Sequence, residues 1–286
     1  SLSKSHADRV EATEAARSTH PDCVERAGQI FQRLRSTAAA AGFGGSVAVR
    51  IESAIPAHQG LGSGSQLALA LARGFDQLFG GESSIADLSR QAGRGGRSAI
   101  GTWGFDLGGL LVDGGRGTDS DGLAPLVTRV AVPDDWRFLL LLPRESAGLS
   151  GDAETAAFSQ LAGMPDSATD RLCRIIVMQL APAFRVGHFH EAAAAISEYG
   201  KVAGEYFAEI QGGLFTHPRM KDLAATLAEA GGTGLAQTSW GPGCAVLCRS
   251  ESMASKLVDL AQTFDASWLE TAVVRGLNQG ATVELS

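Results

Sequence analysis

The chain has 286 residues, of which 44% are hydrophobic and 19% charged, and its formal net charge is -7. This composition is typical of a soluble globular protein with one or two domains. The acidic balance argues against broad binding to nucleic acid or anionic membranes, and the longest apolar runs, such as 138–142, are too short to span a bilayer. The four cysteines form no Cys-x-x-Cys pair, and no secretory signal is visible, so we expect a cytoplasmic setting.

The first half of the chain alternates predicted helices and strands with glycine-rich segments. Val47, Val49 and Ile51 alternate with polar residues, which is typical of a half-buried strand. Leu67, Leu71, Phe75 and Leu78 then recur at helical spacing. The same reasoning predicts helices over 21–41 and 83–92 and strands over 110–112, 126–132 and 138–142.

The second half has a different order, with three predicted helices before any further strand. Pro182 should kink or split the second of these helices. The pattern favours an α+β fold, with helices against mostly antiparallel strands and a domain boundary near residue 145. The predicted helices cover 152–162, 166–186, 188–207, 219–230 and 251–263, and the predicted strands cover 235–239, 244–248 and 269–275.

The glycine-rich segment 55–67 joins the predicted strand directly to a predicted helix. This order presents backbone N–H groups and the positive end of a helix dipole to one point, where a phosphate or pyrophosphate can bind. Gly60, Gly62 and Gly64 leave room for such an anion, and Ser63 and Ser65 add hydroxyl donors. The spacing fits neither the P-loop nor the dinucleotide fingerprint, so a plain glycine turn with a serine N-cap remains the alternative.

Three further groups of residues are candidates for chemistry. Arg94 and Arg97 lie in a glycine-rich segment and can bind phosphate oxygens, or they are solvated surface arginines. The turn 238–243 either packs a tryptophan or forms a second glycine turn facing the phosphate loop. Asp106 and Asp113 are carboxylates of the type that holds Mg²⁺, although Asp113 is also placed to cap the turn that follows it.

The segment Pro-x-x-x-Gly-Leu-Gly-Ser at 56–63 resembles the second motif of the GHMP kinase superfamily. Within it, the chain most resembles the β-ribofuranosylaminobenzene 5′-phosphate synthase family of methanopterin biosynthesis. That resemblance implies a two-domain fold: a ribosomal-protein-like domain over 1–145, which carries the phosphate loop, and a ferredoxin-like domain over 146–286. The closer match rests on segments 56–67, 93–102, 108–115, 148–151, 211–213 and 239–242.

The resemblance also implies an activity. Phosphoribosyl pyrophosphate and 4-aminobenzoate or 4-hydroxybenzoate would condense with release of CO₂ and pyrophosphate, with Mg²⁺ as cofactor and a homodimer as one option for assembly. Asp106 would bind the metal, and Ser239 and Trp240 would lie near the arene as catalytic residues. The substrate and its pyrophosphate would be bound by Pro56, His58, Gly60, Leu61, Gly62, Ser63, Gly64, Ser65, Gln66, Arg94 and Arg97.

Two departures from the superfamily pattern matter. Many of its kinases carry a Ser-Gly-x-Asp element whose aspartate activates the substrate hydroxyl, whereas this chain has Gly101 at that place. A glycine cannot act as a base, which favours the synthase over the alternative of an ATP-dependent small-molecule kinase. The resemblance also implies a strand-rich opening with an Arg-x-His-like motif, which is not found ahead of Ala7, so we expect the first strands of the N-terminal domain to be lacking.

Overall fold

The computed structural model describes residues 1–40, 44–96, 98–115, 122–144, 156, 159, 161–264 and 267–284. The chain divides into two compact units. The first unit comprises Ser1–Ala57, Gly62–Arg129 and Asn278–Ser286, and the second comprises His58–Leu61 and Val130–Leu277.

The first unit contains a three-stranded sheet and a set of helices. The central strand β3 pairs antiparallel with β1, placing Leu2 opposite Val49, and parallel with β2, placing Arg9 opposite Ala48. Strands β4 and β5 form a separate two-stranded sheet. The elements are β1 (Leu2–Ser5), β2 (Arg9–Ala12), α1 (Glu14–Thr19), α2 (Cys23–Ala40), β3 (Ser46–Ile51), α3 (Ser63–Leu78), α4 (Ile85–Gln91), α5 (Ile100–Leu107), β4 (Leu110–Asp113) and β5 (Leu126–Val130).

The core of the first unit forms where β3 meets the apolar faces of α2 and α3. Helix α3 buries residues three or four positions apart, including Ala68, Leu71 and Phe75, as its sequence pattern predicts. Phe75 packs edge to face on Phe31 of α2, with ring centroids 5.3 Å apart. This packing holds α3 against α2 and β3.

The second unit is built on a four-stranded antiparallel sheet with the order β7-β8-β6-β9. Leu139 and Leu141 of the inner strand β6 are fully buried beneath apolar residues of two helices, Leu223 of α9 and Leu257 of α10 among them. The elements are β6 (Arg137–Pro143), α6 (Asp166–Ile175), a π-helical turn (Ile176–Leu180), α7 (Ala181–Val186), α8 (Phe189–Gln211), α9 (Met220–Glu229), β7 (Leu235–Gln237), β8 (Cys244–Cys248), α10 (Glu251–Thr263) and β9 (Leu269–Val274).

Most predicted elements are confirmed within one to four residues at their ends. Strands β1 and β2 and helices α1 and α5 were not predicted, and most of the predicted helix 152–162 falls outside the described residues. Pro182 was expected to kink or split its helix. The structure has a π-helical turn directly before this proline, in which the Ala181 N–H donates to the Ile176 carbonyl.

The predicted domain boundary near residue 145 differs from the division between Arg129 and Val130. The reason is that β6 pairs along its length with β8 and β9, so this strand belongs with the second unit. Among the helices that the structure describes, none is long and apolar enough to cross a membrane.

Candidate active site

The first turn of α3 has the exposed N–H geometry expected for anion binding. Gly62 adopts a left-handed conformation (φ 71°, ψ 15°) as the N-cap, and its carbonyl accepts the N–H groups of Ser65 and Gln66, each at 3.0 Å. The alternative of a serine N-cap is wrong, because Ser63 is already the first helical residue and glycine has no capping side chain. The helix therefore directs its partial positive charge and its first amides at this point.

Two arginines lie beside this helix start. Arg26 of α2 donates from Nη2 to the Ser63 hydroxyl over 3.1 Å, and its side chain is only 21% exposed. A Cβ placed on Gly64 would lie 3.4 Å from Nη2 and 3.5 Å from Nη1 of Arg94, so that guanidinium lies directly against the glycine. Arg94 was predicted here, whereas Arg26 was missed because the sequence does not tell which face of α2 packs toward the loop.

Buried polar contacts fix the segment that carries Arg94. Its backbone N–H donates to the Ser89 carbonyl at 2.7 Å, and the Ser89 and Thr102 hydroxyls, both almost fully buried, lie 3.2 Å apart. A Cβ on Gly95 would lie 2.7 Å from the Ser89 hydroxyl oxygen, so this glycine permits a close approach. Arg97, the second predicted arginine, lies outside the described residues.

Helix α5 packs against the first turn of α3 through Gly101. The Gln66 amide donates to the Gly101 carbonyl at 2.8 Å. A Cβ on Gly101 would lie 3.0 Å from Cβ and 3.2 Å from Oγ of Ser65, which is tighter than ordinary contact. Gln66 and Ser65 therefore have a packing role in addition to their predicted position in the phosphate loop.

The carboxylates do not gather into a metal cage. Asp113 accepts the N–H groups of Ala99 and Gly115, both at 3.1 Å, which confirms that it caps the turn after β4. Asp106 lies in the last turn of α5. Among the described residues, no group of three His, Cys, Asp or Glu side chains is placed to hold a metal ion. Mg²⁺ fits such a site only if substrate phosphates and water supply most of its ligands.

In the second unit, residues 58–61 pack against the turn 238–243. The Thr238 hydroxyl lies 2.8 Å from the Gln59 carbonyl oxygen. A Cβ on Gly60 would lie 1.9 Å from the Thr238 carbonyl oxygen, and one on Gly243 would lie 2.5 Å from the Gln59 carbonyl oxygen. The turn therefore packs on Gln59 and Gly60, of which Gly60 is the first residue of the predicted phosphate loop. We call this contact the loop–turn junction.

A network of side-chain amides holds the turn. Gln237 donates from Nε2 to the Gln211 side chain at 3.0 Å and accepts the Thr216 N–H at 2.7 Å. Gln211 in turn donates to the carbonyls of Gly213 and Leu214. Two separate segments of the sequence resemblance, 211–213 and 239–242, are thus joined by these amides.

The two predicted catalytic residues lie on this turn with different environments. Ser239 is exposed and has a left-handed backbone, with φ 51°. The Trp240 indole is 5% exposed and packs on Phe207, with ring centroids 4.8 Å apart. Trp240 therefore has a packing role in the second unit, and its contact with an arene stays a prediction. Of the remaining predicted residues, His58 is exposed and Pro56 and Leu61 are half-buried.

The cysteines of β8 confirm their predicted character as small buried hydrophobes. Cys244 and Cys248 are fully buried. Burial raises the pKa of both thiols, that of Cys248 to about 11, so neither forms a thiolate near neutral pH.

Comparisons with known proteins indicate the class of protein that this chain resembles. Residues 24–107 match the family model described as the GHMP kinases N terminal domain. Homoserine kinase from Cytophaga hutchinsonii shares the fold with a TM-score of 0.62 at 16% identity, covering 98% of this chain and 86% of that one. Mevalonate pyrophosphate decarboxylase from Streptococcus pyogenes follows with a TM-score of 0.60 at 14% identity, covering 96% and 84%. These structures confirm the predicted α+β GHMP-type fold.

Curated relatives are more specific. A protein of Methanothermobacter thermautotrophicus named beta-ribofuranosylphenol 5′-phosphate synthase is 31% identical over 203 residues, which are 67% of this chain and 60% of the relative. A protein of the same name from Archaeoglobus fulgidus is 33% identical over 183 residues, 58% of each chain. The chain spans between 46% and 60% of the length of the curated relatives that it matches. The predicted resemblance to this group within the GHMP superfamily is confirmed.

Proposed function

We propose that this chain acts in a decarboxylating transferase that condenses phosphoribosyl pyrophosphate with 4-hydroxybenzoate, a step of tetrahydromethanopterin biosynthesis. The single observation that carries the proposal is the first turn of α3, where Arg26 and Arg94 lie beside bare helix amides. That arrangement suits a pyrophosphate, and the relatives at 31–33% identity are synthases named for a ribofuranosylphenol phosphate. Their phenol product favours the hydroxybenzoate over the aminobenzoate.

The chemistry explains why such a site is useful. The bond between the anomeric carbon and the pyrophosphate oxygen breaks, and a ring carbon of the benzoate forms the new bond to that carbon. Loss of CO₂ then returns an electron pair to the ring and restores aromaticity. The charge that develops on the leaving pyrophosphate is stabilised by Arg26, Arg94 and the α3 amides, which are fixed before the reaction begins.

Gly101 supports the synthase over the kinase alternative. It stands where the resemblance places the kinase aspartate, and it has no side chain to deprotonate a hydroxyl. A Cβ at this position would lie 3.0 Å from the Ser65 Cβ, so an aspartate would require the Ser65 side chain to move by a few tenths of an ångström. The position therefore serves packing rather than proton transfer.

Mg²⁺ would supply charge neutralisation to the pyrophosphate, and Asp106 is the residue that we propose would contact it. The partner molecules on this proposal are phosphoribosyl pyrophosphate and the aromatic acid. A homodimer and a cytoplasmic location remain predictions.

The test is the release of labelled CO₂ from carboxyl-labelled 4-hydroxybenzoate and 4-aminobenzoate, with and without phosphoribosyl pyrophosphate. The proposal requires release that depends on phosphoribosyl pyrophosphate, with the hydroxy acid preferred. ATP-dependent phosphorylation of a small alcohol without any CO₂ release would instead establish the kinase.

A further inference from the structure

The loop–turn junction carries two unusual backbone conformations. Among the residues that the structure describes, the non-glycine residues with left-handed φ are His58 (φ 58°) and Ser239 (φ 51°). Both side chains are exposed. Each residue is the chain neighbour of one of the two residues that form the junction, Gln59 and Thr238. Two separate turns of the second unit therefore present their strained residues at the same contact.

These conformations persist because the surroundings fix them. A residue with a Cβ adopts left-handed φ only where its neighbours leave no better choice, and such positions cluster at functional sites. Here Gln237 donates to the Ser239 carbonyl at 3.2 Å, and its Cδ would lie 2.7 Å from a Cβ on Gly241. On the loop side, the Gln59 side chain donates to the Pro143 carbonyl at 2.9 Å. Neither turn can relax without losing these bonds.

Glycine would adopt both conformations without strain, yet the chain has histidine and serine there. The side chains therefore have a use that offsets the backbone cost. Imidazole N–H and hydroxyl O–H groups are hydrogen-bond donors, and a carboxylate accepts such bonds at both of its oxygens. An exposed pair of hydrogen-bond donors, on the two residues that flank one contact, suits the carboxylate of a small acid.

We propose that His58 and Ser239 together bind the carboxylate of the aromatic acid substrate. The inference rests on the proposed function for the identity of that acid. It reassigns His58 from the pyrophosphate to the acid. It makes Gln237 and Gln211 positioning residues, which act by holding Ser239 in its left-handed conformation.

The test uses glycine variants, because glycine separates the side chain from the backbone. His58→Gly and Ser239→Gly relieve the strained φ, so their melting temperatures should equal or exceed that of the unaltered chain. Each loses a donor, and the dissociation constant for benzoate, measured by calorimetry, should rise about tenfold or more. His58→Asn and Ser239→Asn keep a donor and tolerate the left-handed region, and they should bind benzoate between these limits.

The outcomes distinguish this inference from the proposed reaction. Benzoate binding that weakens in the glycine variants, while phenol binding does not change, supports the carboxylate contact whether or not CO₂ is released. Glycine variants that bind benzoate as tightly as the unaltered chain overturn the inference, even if the chain is an active synthase. An unaltered chain that binds no benzoate overturns it as well.

Discussion

The first turn of α3 and the loop–turn junction are both rich in glycine, but glycine serves different purposes in them. At α3, nothing lies within 4 Å of a Cβ placed on Gly62, and the guanidinium of Arg94 lies against Gly64. At the junction, a Cβ on Gly60 or Gly243 would overlap backbone atoms of the opposite segment. Glycine leaves space for charge in the first region and permits close backbone packing in the second.

This difference assigns a different kind of recognition to each region. The cations and helix amides at α3 suit a multiply charged anion, which makes few geometric demands. The junction has closely packed backbone with two exposed hydrogen-bond donors beside it, which suit a small group that must be oriented. The first predictions below each alter one of these regions and leave the other intact, and the last concerns Asp8, which lies in neither.

The largest effect is expected for Gly60→Ala. The new methyl group would lie 1.9 Å from the Thr238 carbonyl oxygen, and φ is +73°, so the junction has to separate. We expect a loss of about 3 kcal/mol in the free energy of unfolding, from overlap and backbone strain together. The measurement is urea denaturation of the variant beside the unaltered chain.

Gly62→Ala is the matched control for that variant. Its φ is +71°, but the methyl group would enter open space, so only the backbone cost of about 1 kcal/mol applies. Equal destabilisation by the two alanines would show that the junction is not closely packed.

Arg26→Gln should weaken the binding of phosphoribosyl pyrophosphate. The variant keeps a hydrogen-bond donor for Ser63 but removes a charge beside the α3 amides. A charge-assisted bond contributes about 2 kcal/mol, so the KM for this substrate should rise about 30-fold. Steady-state kinetics at a fixed concentration of 4-hydroxybenzoate measures this KM.

Arg90→Gln is the control for the charge change. Arg90 lies on α4 with its side chain 72% exposed and pairs with Asp87 on its own helix. The KM of Arg90→Gln for phosphoribosyl pyrophosphate should match that of the unaltered chain. If both variants shift the KM alike, the effect is one of net charge and not of the α3 site.

Thr238→Val should loosen the junction by a smaller amount. The substitution removes the hydroxyl that lies 2.8 Å from the Gln59 carbonyl oxygen and 2.9 Å from the Gly243 carbonyl oxygen. The expected cost is about 1 kcal/mol in unfolding free energy. Thr263→Val, at an exposed helical threonine that bonds its own helix, should cost far less, and similar costs for both would contradict the role of Thr238.

The smallest effect is expected at Asp8, which lies in neither region. Burial raises the pKa of this carboxyl, but the Val47 N–H and the Arg35 guanidinium together outweigh it and hold the pKa below its usual value. The contribution of Asp8 to stability is therefore present above pH about 4 and is lost as pH falls through the lowered folded pKa. Because the pair is solvent-screened, Asp8→Asn should cost only about 0.5 kcal/mol at pH 7.

The pH dependence of that difference checks the sign. Denaturation curves of Asp8→Asn and the unaltered chain should converge toward acid pH. A stability difference that grows as the pH falls would mean that the pairing is misassigned.

The sequence predicted the elements whose stability is local. The alternation before residue 55 and the helical spacing after residue 66 identified β3 and α3, and the glycines between them identified the loop. Strands β1 and β2 are short and polar, and pairing with β3 stabilises them. That pairing depends on residues tens of positions away, which a local pattern does not reveal.

Helix α5 was not predicted, for a related reason. Gly101 and Gly104 lower its intrinsic propensity, and its end is stabilised from a distance. Arg129 donates to the carbonyls of Leu107 and Gly108, and the Ala281 N–H donates to the Phe105 carbonyl at 2.7 Å. These are tertiary contacts that no window of sequence contains.

The candidate site was predictable in its motifs and not in its partners. Glycine patterns indicated the phosphate loop and the turn 238–243 as separate features. Arg26, and the amides of Gln211 and Gln237 that support the turn, became visible only when the fold brought their elements together. Side-chain direction on a helix is set by packing, which is why the sequence left Arg26 unassigned.

The most direct test of the account is a crossed kinetic measurement on two variants, Arg26→Gln and Ser239→Gly, with the KM determined for both substrates in each. The account predicts that Arg26→Gln raises the KM for phosphoribosyl pyrophosphate alone and that Ser239→Gly raises the KM for 4-hydroxybenzoate alone. A variant that raises both KM values equally, or neither, would contradict the division of recognition between the two regions.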